Sequence, residues 1–149
     1  MTARSRIEPA SKARLRLWLK LLKTSRHVEA EVREHLRAEH GTTLPRFDVM
    51  AMLHLHRDGL KMSELSGVLR VSNGNVTGIV DRLVEEGFVA RNPVPGDRRA
   101  MMVALTAAGV SQFETLAAAH EALVDGLLGR VTATEAEAMT ADLARLVEG

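Results

Sequence analysis

The stretch "MSELSGVLRVSNGNVTGIVDRLVEEGFVARNPVPGDRRAMMVALT", residues 62–106, decides the fold. Residues 62–69 read as a short helix, and Arg70-Val71 as a tight turn. Ser72 is a residue type that caps a helix, because its hydroxyl accepts from a backbone N–H that has no partner in the first turn. From residue 73 to about 86 the apolar positions Val76, Ile79, Val80 and Leu83 form one buried stripe at helical spacing. Gly87 ends that helix. Residues 88–92, "FVARN", and 101–105, "MMVAL", are strand-like runs joined through a Pro-Gly-Asp turn. Two helices on a tight turn followed by a two-stranded hairpin make a winged helix-turn-helix.

Outward from this stretch the pattern is helical. Residues 11–39 read as one long helix, with Leu15, Trp18, Leu19 and Leu22 at i, i+3, i+4, i+7 spacing and Gly41 at its end. Thr42 or Thr43 can cap a second helix, about 44–57, with Pro45 in its first turn and Gly59 as its stop. That helix is apolar nearly all round, which suits burial between other elements. Thr106 opens a long helix to about Leu128, and "TATE", residues 132–135, is a capping-box pattern for a last one. The expected fold is mainly α with a small β wing: a winged helix-turn-helix flanked by long helices. Residues 1–40 and 106–149 form the flanking helical region, and residues 41–105 the winged lobe, all in one continuous domain.

This arrangement suits double-stranded DNA. The exposed positions at the start of the fourth helix are Ser72, Asn73, Asn75 and Thr77, side chains that hydrogen-bond without charge. Asn matches the N7 and N6 edge of adenine, and Thr offers a hydroxyl or a methyl group. Arg82 adds a cation further along the helix. Gly74 and Gly78 each cost about 0.5–1 kcal/mol relative to Ala in a helix, a cost that close approach to DNA would explain. The hairpin brings Asp97, Arg98 and Arg99 to the wing tip, where arginines can enter a narrow minor groove or lie along phosphates. A carboxylate beside them can aim a guanidinium by a planar two-point contact. Arg70, in the turn between the helices, can reach a phosphate.

Composition is consistent with this. The chain has 149 residues, enough for one core, and no cysteine, which removes disulfides, thiolate metal sites and thiol redox sensing. Aromatics are 3%, low for a protein that stacks single-stranded bases. The net charge of +1 hides a gradient of +5 over residues 1–40, +1 over 41–105 and −5 over 106–149. Basic ends can contact phosphate, and oppositely charged terminal helices can also attract each other; the sequence leaves both open. No apolar run approaches the ~20 residues that span a bilayer, and the basic N-terminus has no signal-like core, so a cytoplasmic protein without membrane contact is expected. No nucleophile–base pair, phosphate loop or metal-ligand set lies on one element, so no enzyme and no cofactor are expected. His27, Glu31 and His35 share a helix face, but without a further ligand a solvated face is the better reading, and no metal site is assigned.

With these residues in view, the chain resembles the MarR family of winged helix-turn-helix bacterial transcriptional regulators. "TLPRFDVMAML" resembles that family's second helix, and "MSELSGVLRVSNGNVTGIVDRLVEEGFVAR" its helix-turn-helix and first wing strand. "DRRAMMVALTAAG" resembles its wing signature of Asp, Arg, Leu-Thr and Gly. The turn departs from the pattern by carrying Arg70 where glycine is common. The resemblance implies an obligate homodimer built from the flanking helices, a roughly palindromic operator, and release of DNA by a small ligand. It also implies that Asp97 and Arg99 do the wing work.

The resemblance places a ligand cleft among the first, second and fifth helices. Trp18, Leu22 and Arg26 share one face of the first helix, and Arg46, Met50 and His54 one face of the second. An arginine beside apolar side chains suits an organic anion, such as an aromatic carboxylate or an acyl thioester. The alternative is that Arg46 is a solvated surface residue and Trp18 belongs to a dimer core. The expected function is a ligand-responsive repressor; the competing one is a winged-helix module for protein–protein contact with no operator of its own.

Overall fold

The computed structural model describes residues 9–69 and 73–148, and of residues 73, 74 and 98 the backbone alone. The chain divides into two compact units after Gly41. The first is a single helix, α1 (Ala10–His40), which ends where Gly41 adopts a left-handed φ of 59° and donates its N–H back to Arg37. Two ion pairs along its exposed surface, Arg33–Glu29 and Arg37–Glu34, follow the i, i+4 and i, i+3 spacing that brings side chains together on a helix. The guanidinium of Arg37 holds the Glu34 carboxyl below its ordinary range, chiefly by the hydrogen bonds it donates.

The second unit, from Thr42, runs α2 (Leu44–Leu55), β1 (Leu60–Lys61), α3 (Met62–Leu69), α4 (Asn73–Glu85), β2 (Val89–Val94), β3 (Asp97–Leu105), α5 (Ala107–Leu127) and α6 (Ala133–Val147). Thr43 is the cap of α2, its hydroxyl accepting from the Arg46 N–H. The core gathers apolar side chains from the helices α2 to α5 and the sheet: Leu53 of α2, Leu65 of α3, Val76, Val80 and Leu83 of α4, Val103 of β3 and Leu116 of α5 are all but fully buried. The stripe expected on the fourth helix is therefore the face that α4 buries, with Ile79 half-buried at its margin. Phe47 of α2 meets Phe113 of α5, ring centres 5.4 Å apart, and this contact seats α5 against α2.

The sheet differs from the expected two-stranded hairpin. It has three strands in the order β1-β3-β2, all antiparallel, with Leu60 opposite Val103 and Lys61 opposite Met102. A strand of two residues has too little length to show alternation, so sequence spacing cannot reveal it. Gly59, expected to stop α2, instead delivers the chain into β1 with a φ of 104°. A Cβ there would come within 3.0 Å of the Val103 carbonyl oxygen. The helix itself ends earlier, at Leu55. The hairpin strands also run further toward the tip than expected, up to the pair Val94–Asp97. Pro95 and Gly96 alone form the turn, and Gly96 takes a φ of 83°, the value that the third position of a Pro-Gly type II turn requires.

Two junctions expected from sequence are present in atomic detail. Thr132 and Glu135 form the reciprocal capping box at the start of α6. Thr106 caps α5 by accepting from the Gly109 N–H, 3.0 Å away. Between the end of α5 and the start of α6 lies an open groove of about 500 Å³, walled by Val124, Leu128, Val131 and Ala136, with Glu121 and Asp125 on its rim.

Candidate nucleic-acid interface

The residues singled out on α4 and the wing belong to one unit and stand on one scaffold. Burial of Val76, Val80 and Leu83 turns the opposite side of α4 outward. Asn75, Thr77, Gly78, Asp81 and Arg82 are all exposed there. Seven residues, two helical turns, separate Asn75 from Arg82, so they share one flank; Thr77 and Asp81, four apart, share the other. Gly78 lies between the flanks, and a Cβ on it would meet nothing within 4 Å. Arg70 and Ser72 lie outside the described residues, as do the side chains of Asn73 and Arg98.

At the wing, Asp97 and Arg99 are exposed in the first turn-proximal residues of β3. The Asp97 carboxylate accepts from the backbone N–H of Arg99 at 3.0 Å. The aspartate thus fixes the strand entry through the main chain, where sequence reasoning expected it to grip a guanidinium. A carboxylate that accepts a main-chain N–H two residues on is the Asx-type turn, which locks the local backbone and so the direction in which the Arg99 side chain departs.

Two ion pairs that sequence reasoning did not foresee hold α4 in place. Arg91 of β2 pairs with Asp81 on the Thr77 flank of α4. Arg46 of α2 pairs with Glu86 just past the C-terminus of α4, and its Nε donates to the Thr42 hydroxyl at 3.2 Å. Both join residues distant in sequence, and spacing along a chain carries no signal for such partners.

The residues proposed to line a ligand cleft are distributed as follows. Trp18, Leu22 and Arg26 are on α1, Trp18 and Arg26 exposed and Leu22 half-buried. On α2, Met50 is only 2% exposed and so belongs to the core, and Arg46 is engaged by Glu86. His54 packs its ring on Phe113, centroids 4.8 Å apart, with Nε2 buried, without a hydrogen bond, and 3.7 Å from the Glu114 carboxylate.

Comparison with known proteins decides the family. The model described as "MarR family" matches residues 42–101. The HTH-type transcriptional repressor MdtR of Bacillus subtilis is 32% identical over 124 residues, covering 81% of this chain and 79% of the relative. The chain belongs to the MarR family. A crystal structure of a MarR family transcriptional regulator from Silicibacter pomeroyi superposes with a TM-score of 0.76 at 33% identity, covering 95% of this chain and 97% of the other. A mutant MarR from Escherichia coli complexed with operator DNA gives a TM-score of 0.73 at 25% identity, covering 94% and 99%. As a MarR-family protein this chain is a DNA-binding transcriptional regulator with a winged-helix fold. Its relatives are regulators of transcription and not enzymes. Among the described residues no helix is long and apolar enough to cross a membrane.

The family's wing signature acquires a physical reading in this MarR-family structure. Thr106 donates its hydroxyl to the Gly87 carbonyl at 2.6 Å and its N–H to the Phe88 carbonyl at 3.0 Å. Gly109 is buried so close to the same strand entry that a Cβ would fall 2.0 Å from the Phe88 oxygen. The Leu-Thr and Gly of the signature therefore join the end of α4, the start of β2 and the first turn of α5 at one corner, while Asp97 and Arg99 occupy the other end of the hairpin.

Proposed function

We propose that the protein is a homodimeric repressor that reads a palindromic operator with α4, steadies itself with the wing, and is released by a small organic anion. The observation that carries the DNA reading is the exposed face of α4 at the polar residues Asn75 and Thr77, on the same compact unit as the exposed Arg99 of the wing. Uncharged side chains on a groove-sized helix discriminate base edges, and a cation on a hairpin tip supplies affinity without sequence. Ser72, Asn73 and Arg82 extend the reading face, Arg98 and Arg70 serve contacts to the DNA backbone, and Asp97 holds the main chain from which Arg99 departs. Residues 1–40 and 106–149 form the dimerisation region around the winged lobe. The test is to sequence duplex fragments retained by the purified protein at near-physiological salt. A shared inverted repeat is expected. Asn75→Ala then costs about 1–3 kcal/mol on that operator and little on random duplex. Arg99→Ala weakens both and lowers the salt slope by about one. Recovery of unrelated fragments, or equal losses on both DNAs for Asn75→Ala, argues against base reading by α4.

The effector proposal has two anchors, each taken by itself: Arg26 with Trp18 and Leu22 on α1, and Arg46 with His54 on α2, where Met50 is part of the core. Because Arg46 is paired with Glu86, an aromatic carboxylate or acyl thioester that binds there competes with Glu86 and takes away one of the ties on α4. A ligand shifts an equilibrium only by its differential affinity for the two states, and loss of a tie on the reading helix is such a difference. Arg26→Ala should retain operator binding in full and Arg46→Ala, which removes the tie itself, only in part, and at least one should lose its response to the anion in a DNA-release titration. Parental responses in both variants would remove both anchors.

A further inference from the structure

We infer that Asp81 and Arg91 are positioning residues that set the angle between the reading helix and the wing, and that Arg91, despite its charge and place on the wing, makes no phosphate contact. The inference rests on α4 and the wing being the DNA-contacting elements. Arg91 is carried by β2, directly opposite Val103, whose side chain is wholly buried. Its backbone is thus fixed within the ladder near the start of β2, an edge strand, away from the Pro95-Gly96 tip. Its guanidinium reaches sideways to the Asp81 carboxylate, on the Thr77 flank of α4. The arginine is about one-third exposed and the aspartate about half, so the pair sits in the crease between helix and hairpin with one side open to solvent. Buried apolar side chains already hold the inner side of α4, and an apolar stripe resists separation better than it resists rolling. A paired charge on the flank restrains the roll.

Electrostatics gives the inference a sign that can be tested. A carboxylate on a face that meets DNA repels phosphate, so neutralising one with no other task should strengthen binding to every duplex. Asp81 pairs with a wing arginine on the very helix that would enter the groove, which makes sense if geometry is worth more than the repulsion it brings. Arg91, if it met a phosphate, would contribute to counterion release, and its removal would flatten the salt dependence.

The experiment measures affinity for the selected operator and for random duplex, over a salt series, for Asp81→Asn, Arg91→Ala, Arg91→Asp and the exchanged pair Asp81→Arg with Arg91→Asp, alongside thermal denaturation. Asn75→Ala is run in the same assay; its operator-selective loss establishes that α4 reads bases, independently of the pair. The expected result is operator binding about two- to fivefold weaker for Asp81→Asn, the range of a solvent-accessible ion pair, with random duplex unchanged or bound more tightly. Arg91→Ala should lose operator affinity comparably while its salt slope stays parental. The exchanged pair should recover operator binding relative to Arg91→Asp alone. Operator binding that is unchanged or tighter in Asp81→Asn, or a salt slope reduced by about one in Arg91→Ala, would overturn the inference. If a single variant unfolds, the comparison of the exchanged pair with the parent decides: parental operator preference supports the geometric role, and its absence in a folded exchanged pair refutes it.

Discussion

Gly78 lies in the middle of α4 on its exposed face, where a Cβ would touch nothing within 4 Å. Nothing in the folded chain asks for glycine there, and alanine should be better by about 0.5–1 kcal/mol because it restricts the unfolded chain and suits a helix. Gly78→Ala is therefore expected to raise the thermal midpoint by about 1–4 °C and, at the same time, to weaken operator binding. Thermal denaturation and a DNA titration on the same preparation check both halves. A variant that is more stable and binds DNA as well as the parent would show that the groove does not come near this backbone. The exposure of Asn75, Thr77 and Arg82 was legible in the sequence, because the periodic burial of Val76, Val80 and Leu83 assigns the opposite face by subtraction. The partners of Arg46 and Arg91 were not. Glu86 and Asp81 lie 40 and 10 residues away from them in sequence, and only the folded arrangement brings the charges together.

At the scale of elements, the corner where β2 begins and α5 starts is held by few atoms. Thr106 contributes a cap, a hydroxyl bond to Gly87 and an amide bond to Phe88, and Gly109 supplies the absence of a side chain. A methyl group at residue 109 would collide with a main-chain oxygen, which cannot swing away as a flexible side chain can. Gly109→Ala should thus destabilise by about 3 kcal/mol, the upper part of the usual range for overpacking, read as a lower denaturant midpoint with an unchanged slope. A loss under about 0.5 kcal/mol would mean that the corner opens at little cost. The helices were readable from caps and periodicity: Thr43, Thr106 and Thr132 each cap the helix that follows. The sheet was readable only in part. β2 and β3 announce themselves by composition and a Pro-Gly turn, whereas β1 exists because β3 offers it an edge. Arg-Arg after a turn looks like loop and points to the tip, whereas the pairing of Val94 with Asp97 carries the ladder past that point.

For the whole molecule, the apolar residues left outside are concentrated on the terminal helices. Leu15, Leu17, Trp18 and Leu19 on α1, and Met139, Leu143, Leu146 and Val147 on α6, are all exposed in the single chain. Exposed apolar side chains gathered on a helix in this way are what an interaction site offers, and a second copy of the chain would cover them isologously. Residues 1–40 are net basic and 106–149 net acidic, which adds attraction between copies that salt would weaken. Sedimentation should show a dimer, and deletion of residues 1–30 or 130–149 should leave insoluble or unfolded protein; a stable, monomeric remainder would count against this arrangement. The junction at Thr106 gives α5 a mechanical connection to the wing. β3 ends at Leu105 and α5 starts at Ala107, so a single residue separates the hairpin from a helix of 21 residues. Such a helix is about 31 Å long, and a tilt of about 5° at its base sweeps its far end through about 3 Å. Run in reverse, it is a reduction gear: displacements of ångströms beside the groove at Val124 and Leu128 arrive at the hairpin as a few degrees of rotation.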